Sequence, residues 1–235
     1  MYRNLTVTAV VVAAGKGSRM NSPVNKQYLM LKDKPILAHT LSVFQRCDIV
    51  DHIVVVAARK DIPCCRQSVV EGFSLTKVKD ILAGGCTRQQ SATMALEYVE
   101  EGIVVIHDGV RPFVDCSLIE RGVEKLVGQN IDGTACAVPV KDTVKLVDDG
   151  ERVQRTLDRA RLRAVQTPQC FMAEVIKEVH RKAAVEGAEA TDDLALLEHY
   201  GYRVSLYPGR YDNIKITTPE DLLLAEVLME GRDKT

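Results

Sequence analysis

Glycine and positive charge meet early in this chain, where an apolar run ends. In VVVAAGKGSRM, residues 10–20, the run closes on Ala13 and Ala14 and gives way to Gly15, Lys16 and Gly17, with Arg19 next and Lys26 seven residues beyond it. Glycine lets a backbone turn sharply and approach a ligand with no Cβ in the way. Amides exposed by such a turn can hold phosphate oxygens. The named phosphate fingerprints do not fit, because G-x-G-x-x-G needs glycine where Met20 stands, and G-x-x-x-x-G-K-[ST] needs glycine at Val12 and lysine at Ser18. A tight strand-to-helix turn with no ligand would use the same glycines. Residue types alone leave both readings open, a bare turn or a loop that, with Arg19 and Lys26 following it, holds a polyphosphate.

The rest of the chain must supply a frame for that loop. Its 235 residues are 46% apolar and 27% charged, ordinary for a globular protein able to bury a core. Lys+Arg number 31 against 32 Asp+Glu, so no overall field favours nucleic acid or an anionic membrane, and any basic site must be local. Apolar runs reach only about eight residues, short of a membrane span, and there is no leader pattern, so a cytoplasmic location is expected. Seven cysteines (Cys47, Cys64, Cys65, Cys86, Cys116, Cys136, Cys170) form no C-x-x-C pair and have no histidine at ligand spacing. They are expected to be reduced packing thiols, and structural zinc is not expected.

Four continuous apolar runs, residues 7–13, 53–58, 103–106 and 134–138, predict strands buried on both faces, the mark of a parallel sheet covered by helices. Helical periodicity is expected over 34–47, 87–101, 116–129, 173–186 and 219–231, the last with Thr218 as N-cap and Pro219 at the first helical position. The result is one domain, an α/β three-layer sandwich with a mostly parallel Rossmann-like sheet, whose ligands bind beyond the carboxyl ends of the strands. Residues 138–166 break the rhythm: two alternating stretches flank Asp149-Gly150, a hairpin turn. A lone ribbon is marginal in water, so a second copy of the chain is expected to cover this arm.

The continuation AAGKGSRMNSPVNKQYLMLKDKPIL resembles the opening of the sugar-nucleotide and polyol-phosphate nucleotidyltransferases. From residue 9 to about 228 the chain is similar to one of their families, the 2-C-methyl-D-erythritol 4-phosphate cytidylyltransferases. The carriers are AAGKGSRM, NKQYL, AGGCTRQQS (83–91), HDGVRPF (107–113), PVKDTVK (139–145), TLDRARLRAVQTPQ (156–169), ATDD (190–193) and NIKITTPEDL (213–222). Where the chain has Gly109 and Val110, the family more often has two alanines, which touches a backbone contact to substrate.

The resemblance implies a nucleotide-diphospho-sugar transferase fold, with attack by a phosphomonoester on the α-phosphorus of CTP in non-mevalonate isoprenoid biosynthesis. Ribitol 5-phosphate or another polyol phosphate is the alternative acceptor, and a silent nucleotide-binding module is a third reading. The resemblance assigns Arg19 and Lys26 to the transition state, and the backbone of Ala14, Gly15, Lys16 and Gly17 to the triphosphate. It assigns Ala13, Ala14, Gly84, Gly85, Cys86 and Ser91 to the base pocket. Asp108 would accept from ribose or substrate hydroxyls or lie near Mg²⁺ (or another divalent cation) held mainly by the CTP phosphates. Gly109, Arg111, Thr143, Arg159, Thr167, Thr191 and Lys215 would serve the acceptor. Arg159 and Thr143 would act across a homodimer through the arm. Lys215, between Ile214 and Ile216, should emerge from a buried strand, where a lone ammonium is costly without an anion. His107 is expected to pack or position, because a phosphate ionised at neutral pH needs no general base.

Overall fold

In the computed structural model, which describes residues 1–15, 20 and 24–232, the first apolar run is β1 (Val7–Ala13). A two-stranded ribbon of β2 (Met30–Leu31) and β3 (Lys34–Pro35) follows and leads into α1 (Ile36–Arg46). Next come β4 (His52–Ala57), the short α2 (Ile62–Cys64) prolonged by π-type turns to Glu71, β5 (Val78–Ala83) and α3 (Arg88–Leu96). The middle of the chain gives β6 (Ile103–Asp108), α4 (Cys116–Gly128) and β7 (Gly133–Pro139). The ribbon of β8 (Lys145–Val147) and β9 (Val153–Thr156) precedes β10 (Arg163–Met172). The chain closes with α5 (Ala173–Glu186), α6 (Asp193–His199), β11 (Val204–Pro208) and α7 (Pro219–Arg232).

Seven strands form one sheet in the order β11-β7-β10-β6-β1-β4-β5. β1 is an inner strand, pairing in parallel with β4 (Val10 opposite Val54) and β6 (Val10 opposite Ile106). Side chains alternate across a strand, so Val7, Ala9 and Val11 pack into the layer of α1 and α4, while Val10 packs against α3 and α5. That double burial is why the run is continuous rather than alternating.

The sheet is mixed: β10 runs antiparallel to both β6 and β7. Sequence reading does not find β10, because its interior holds Thr167-Pro168, and proline in a strand is tolerated only at an edge or a bulge. A bulge is what the structure has, with the β10–β7 register shifting between Val165 and Gln169.

α7 is tied down at both ends. Asp221 Oδ2 accepts from the amides of Thr217 (2.8 Å) and Thr218 (2.9 Å), and the Asp221 amide donates to Thr218 Oγ1 at 3.4 Å, which makes the expected N-cap a reciprocal one. Its inner face (Leu222, Ala225, Leu228, Met229) covers Leu31, Ile36, Val110, Phe113 and Ile216.

The arm is a sheet of its own. Its turn is wider than Asp149-Gly150 alone: Asp148 Oδ1 accepts from the amides of Gly150 and Arg152, and Glu151 takes the positive φ. Leu146, Val147 and Val153 remain 40%, 42% and 60% exposed, so the arm presents apolar surface that this chain does not cover.

Candidate active site

The carboxyl ends of β1, β4, β5 and β6 open into a cavity of about 1290 Å³. Single-ligand pockets usually span about 300–1,000 Å³, so there is room for two small molecules side by side. One wall is residues 13–15, a second is residues 84–88, and the floor holds Asp108 with Lys215 and Thr217 beside it; Lys26 closes the near side.

The two loop walls touch. A Cβ placed on Gly84 would lie 2.4 Å from the Ala14 Cβ and 2.9 Å from Ser91 Oγ, so this position is glycine because two strand-end loops meet here. The Gly84 amide donates to the Ala57 carbonyl at 2.8 Å, fixing the loop to the end of β4. The first turn of α3 completes the clamp. Thr87 caps the helix by accepting from the Gln90 amide, Ser91 Oγ donates to the Thr87 carbonyl (2.8 Å) and accepts from the Gly85 amide (3.2 Å), and Gln90 Oε1 accepts from the Cys86 amide (2.9 Å). Ser91, only 2% exposed, therefore shapes the loop through its own backbone bonds.

Lys26 is placed by its neighbours. It opens a tight turn, Lys26–Tyr28, in which the next residue, Gln27, donates from Nε2 to the Ala13 carbonyl at 2.7 Å, so the lysine is referenced to the end of β1. It lines the cavity while only 8% exposed. Arg59 and Lys60 add positive charge at the rim.

The floor is an ion cluster centred on Asp108. Its Oδ1 lies 3.1 Å from Arg88 Nε, and its Oδ2 lies 2.9 Å from Lys215 Nζ and 3.4 Å from Arg111 Nε. Burial alone would raise the Asp108 carboxyl, but the three cations, Arg88 foremost, outweigh it and hold the group well below the usual carboxylate range. Arg88 also reaches Asp193 Oδ2 at 2.6 Å. Burial opposes ionisation of Asp193 as well, yet Arg88 and His180 bring its pKa down to about 2.

Behind the cluster lies His107, fully buried, with Nε2 3.2 Å from the Arg111 carbonyl and Nδ1 3.0 Å from Thr167 Oγ1. A neutral ring with its proton on Nε2 satisfies both contacts: it donates to Arg111 and accepts from Thr167, whose oxygen accepts in turn from the Asp108 amide at 3.1 Å. Burial pushes the imidazole down to about 3, so the group packs and holds the strand end, as its position suggests. The unfolded ring takes up a proton near pH 6.5 and the folded one only near 3. The stability this neutral ring contributes is therefore complete above about pH 6.5 and is lost as pH falls toward 3, with a slope approaching about 1.4 kcal/mol per pH unit for one proton. Urea midpoints measured from pH 7 to 4 should fall accordingly, and His107→Gln should flatten that slope; an unchanged slope would contradict the buried neutral ring.

Of the residues expected from sequence, Ala13, Ala14, Gly15, Lys26, Gly84, Gly85, Cys86, Ser91, Asp108 and Lys215 line one cavity. Lys16, Gly17 and Arg19 lie outside the described residues. Gly109, expected at substrate, has both backbone groups taken inside the fold: its amide donates to Val12 at 2.9 Å and its carbonyl accepts from Thr40 Oγ1 at 3.0 Å. Thr167, likewise expected at substrate, is spent on Asp108 and His107. Arg111 stands behind Asp108 and donates from Nη1 to the Asn213 carbonyl at 2.8 Å, so it anchors the floor. Thr191 is exposed outside the cavity. Thr143 and Arg159 are exposed at the arm, where Arg159 Nη1 donates to the Lys141 carbonyl at 2.8 Å.

Sequence reading assigned no role to Arg88, Asp193, Gln27 or Thr217. Arg88 and Asp193 stood in the motifs AGGCTRQQS and ATDD, but a pairing across 105 residues has no local pattern to betray it. No group of three or more His, Cys, Asp or Glu able to hold a metal occurs among the described residues. The seven cysteines are free thiols; burial pushes Cys47 and Cys136 up to about 12, so both stay protonated. No helix among the described residues is long and apolar enough to cross a membrane.

A family model described as 2-C-methyl-D-erythritol 4-phosphate cytidylyltransferase matches residues 7–231. Proteins so named from Clostridium acetobutylicum and Geotalea uraniireducens are 45% and 47% identical, over 94% and 97% of this chain and 96% and 98% of theirs. Among solved structures, the 4-diphosphocytidyl-2C-methyl-D-erythritol synthase from Anaerococcus prevotii superposes with a TM-score of 0.85 at 29% identity, covering 96% of each chain. The 2-C-methyl-D-erythritol 4-phosphate cytidylyltransferase of Thermus thermophilus superposes at 0.79 with 31% identity, over 96% of this chain and all of that one.

Proposed function

The chain belongs to the 2-C-methyl-D-erythritol 4-phosphate cytidylyltransferase family, and from that premise we propose how its cavity divides the work between two substrates. The enzyme transfers CMP from CTP to 2-C-methyl-D-erythritol 4-phosphate, giving 4-diphosphocytidyl-2-C-methyl-D-erythritol and pyrophosphate in isoprenoid biosynthesis. An oxygen of the acceptor phosphate bonds to the α-phosphorus while the bond from that phosphorus to the pyrophosphate oxygen breaks. Two polyanions must meet in line and charge gathers on phosphorus, so fixed cations and positioning supply most of the rate. The observation that carries the reading is the convergence of Lys26, Arg88, Asp108 and Lys215 on one cavity beyond the strand ends.

Cytosine sits against the backbone of residues 13–14 and 84–86, whose amides and carbonyls can meet the pyrimidine edge. The triphosphate leaves the cytosine slot past residues 14 and 15, with Lys26 toward the α-phosphate, and Lys16, Gly17 and Arg19 keep the triphosphate role that the family resemblance gives them. Lys215, paired with Asp108 at 2.9 Å, turns its charge to the acceptor phosphate.

Magnesium fits only as a guest of the nucleotide. Asp108 is the carboxylate that faces the cavity, and both its oxygens already hold cations, so most ligands must be phosphate oxygens and water, as Mg²⁺ commonly prefers. When bound, the ion neutralises phosphate charge that the lysines alone would leave.

The arm of one copy, with Thr143 and Arg159, completes the cavity of a second; the exposed Leu146, Val147 and Val153 support this homodimer. Mixing Arg159→Ala with Lys26→Ala protein should create one intact site per heterodimer, about half the unmutated activity for each heterodimer and about a quarter for a randomly exchanged mixture. No recovery in verified heterodimers would remove the role in trans. The balance of charge and the absence of a spanning helix among the described residues support a cytoplasmic enzyme without nucleic-acid partners.

The deciding assay follows pyrophosphate release with CTP, Mg²⁺ and each polyol phosphate. Turnover with methylerythritol phosphate is expected; turnover with ribitol 5-phosphate alone would reassign the acceptor, and silence with every acceptor would leave only a binding module. The touching loops add a second expectation. Gly84→Ala forces a methyl against Ala14 and overpacks the wall at a cost of about 1–3 kcal/mol. Its KM for CTP should rise about tenfold while the acceptor KM holds; equal rises would mean the wall serves both substrates.

A further inference from the structure

We propose that Arg88 is a positioning residue for the acceptor half of the reaction: it fixes the Asp108 carboxylate from behind, and Asp108 in turn sets where the Lys215 amine stands. The proposal rests on the acceptor role given above to Lys215.

Lys215 is a flexible side chain, 37% exposed, and its placement in the cavity comes from the 2.9 Å contact with Asp108 Oδ2. That oxygen can point at Lys215 only if the carboxylate is held in plane from its other side, and Arg88 Nε does this at 3.1 Å on Oδ1. Arg88 is itself braced, because Nη1 lies 2.6 Å from Asp193 Oδ2 at the start of α6. Asp193 Oδ1 lies 3.3 Å from His180 Nε2 on α5, and His180 Nδ1 lies 2.8 Å from Thr93 Oγ1 on α3. Asp193 and His180 are each 1% exposed, so this end of the chain of contacts is locked in the core.

The guanidinium works on the two carboxylates rather than on a ligand. Its Nε and Nη1 are engaged by Asp108 and Asp193, and its third nitrogen, Nη2, is buried with no hydrogen-bond partner. A lysine at 88 could serve one carboxylate but has no rigid fork to span both.

The test uses the full chain with Arg88→Ala, Arg88→Lys, Asp193→Asn and Lys215→Ala, following pyrophosphate release with both substrates varied. Arg88→Ala should lower kcat and raise the acceptor KM, reducing kcat/KM for the acceptor about a hundredfold while the KM for CTP stays within about threefold. Arg88→Lys should recover little, and free guanidinium ion should restore part of the Arg88→Ala loss where ammonium ion does not. Asp193→Asn, which never faces the cavity, should shift the same parameters about tenfold. It also carries the test if Arg88→Ala, which strips a partner from two buried carboxylates, does not fold. A loss confined to the KM for CTP would make Arg88 a nucleotide ligand and overturn the proposal. So would native kinetics in folded Asp193→Asn. If Lys215→Ala is itself fully active, the acceptor reading fails at its root; if it is inactive while the Arg88 and Asp193 variants are normal, only the positioning role fails.

Discussion

Lys215→Ala lowers kcat by two or more orders of magnitude with the KM for CTP nearly unchanged. The lysine is a cation paired at 2.9 Å with a carboxylate that two arginines also hold. At the floor, Asp108 and Asp193 carry two negative charges against the three positive charges of Arg88, Arg111 and Lys215, so the cluster keeps positive charge for an anion. An acceptor phosphate brings about two negative charges into a half-dry cavity, where charges interact far more strongly than in water. Lys215 is the member of the cluster with exposure enough to turn toward it. Without the amine, Asp108 faces the incoming phosphate with less positive charge between them, and each tenfold loss of rate corresponds to about 1.4 kcal/mol of transition-state stabilisation. Steady-state pyrophosphate release, with thermal melting as a control for folding, reads the effect. A rate within about threefold of the unmutated enzyme would remove Lys215 from the chemistry.

Lys26→Ala has an effect of similar size by a different route. This lysine is only 8% exposed yet lines the cavity, and the Gln27 bond to the Ala13 carbonyl ties its turn to β1. A cation that does not have to reorganise is worth most against charge that develops during reaction. The loss should therefore appear in kcat, by two or more orders of magnitude, more than in the KM for CTP. Single-turnover kinetics at saturating CTP separate the two; a variant that only binds CTP more weakly and then reacts normally would make Lys26 a binding residue.

The frame was legible in sequence where burial is two-sided. Strands β1, β4, β6 and β7 are continuous apolar runs because helices cover both faces, and the run lengths gave their positions. β5 escaped because it is an edge strand, with Lys79 and Asp80 breaking the apolar pattern. β10 escaped because Pro168 argues against a strand until the bulge that accommodates it is seen.

At the site, residue types were readable and causes were not. Gly84 suggested close approach of a ligand, yet its nearest neighbour is the Ala14 methyl of the opposing loop. Thr167 and Gly109 suggested substrate contacts, and their polar groups are consumed in holding Asp108 and α1. The cation that braces the floor, Arg88, was visible only as one charge among 31, since its two partners lie 20 and 105 residues away in the chain. Pairings that distant come from the crossovers of the sheet, which no local pattern encodes.

The most direct measurement is a crystal structure of the protein with CTP and Mg²⁺. The account predicts the cytosine edge against the backbone of residues 84–86, the triphosphate along the glycine turn after β1, and the α-phosphate within contact of Lys26 with Lys215 across the open space from it. Phosphates lodged away from that turn, or Lys26 and Lys215 on opposite sides of the bound nucleotide from the α-phosphorus, would contradict it.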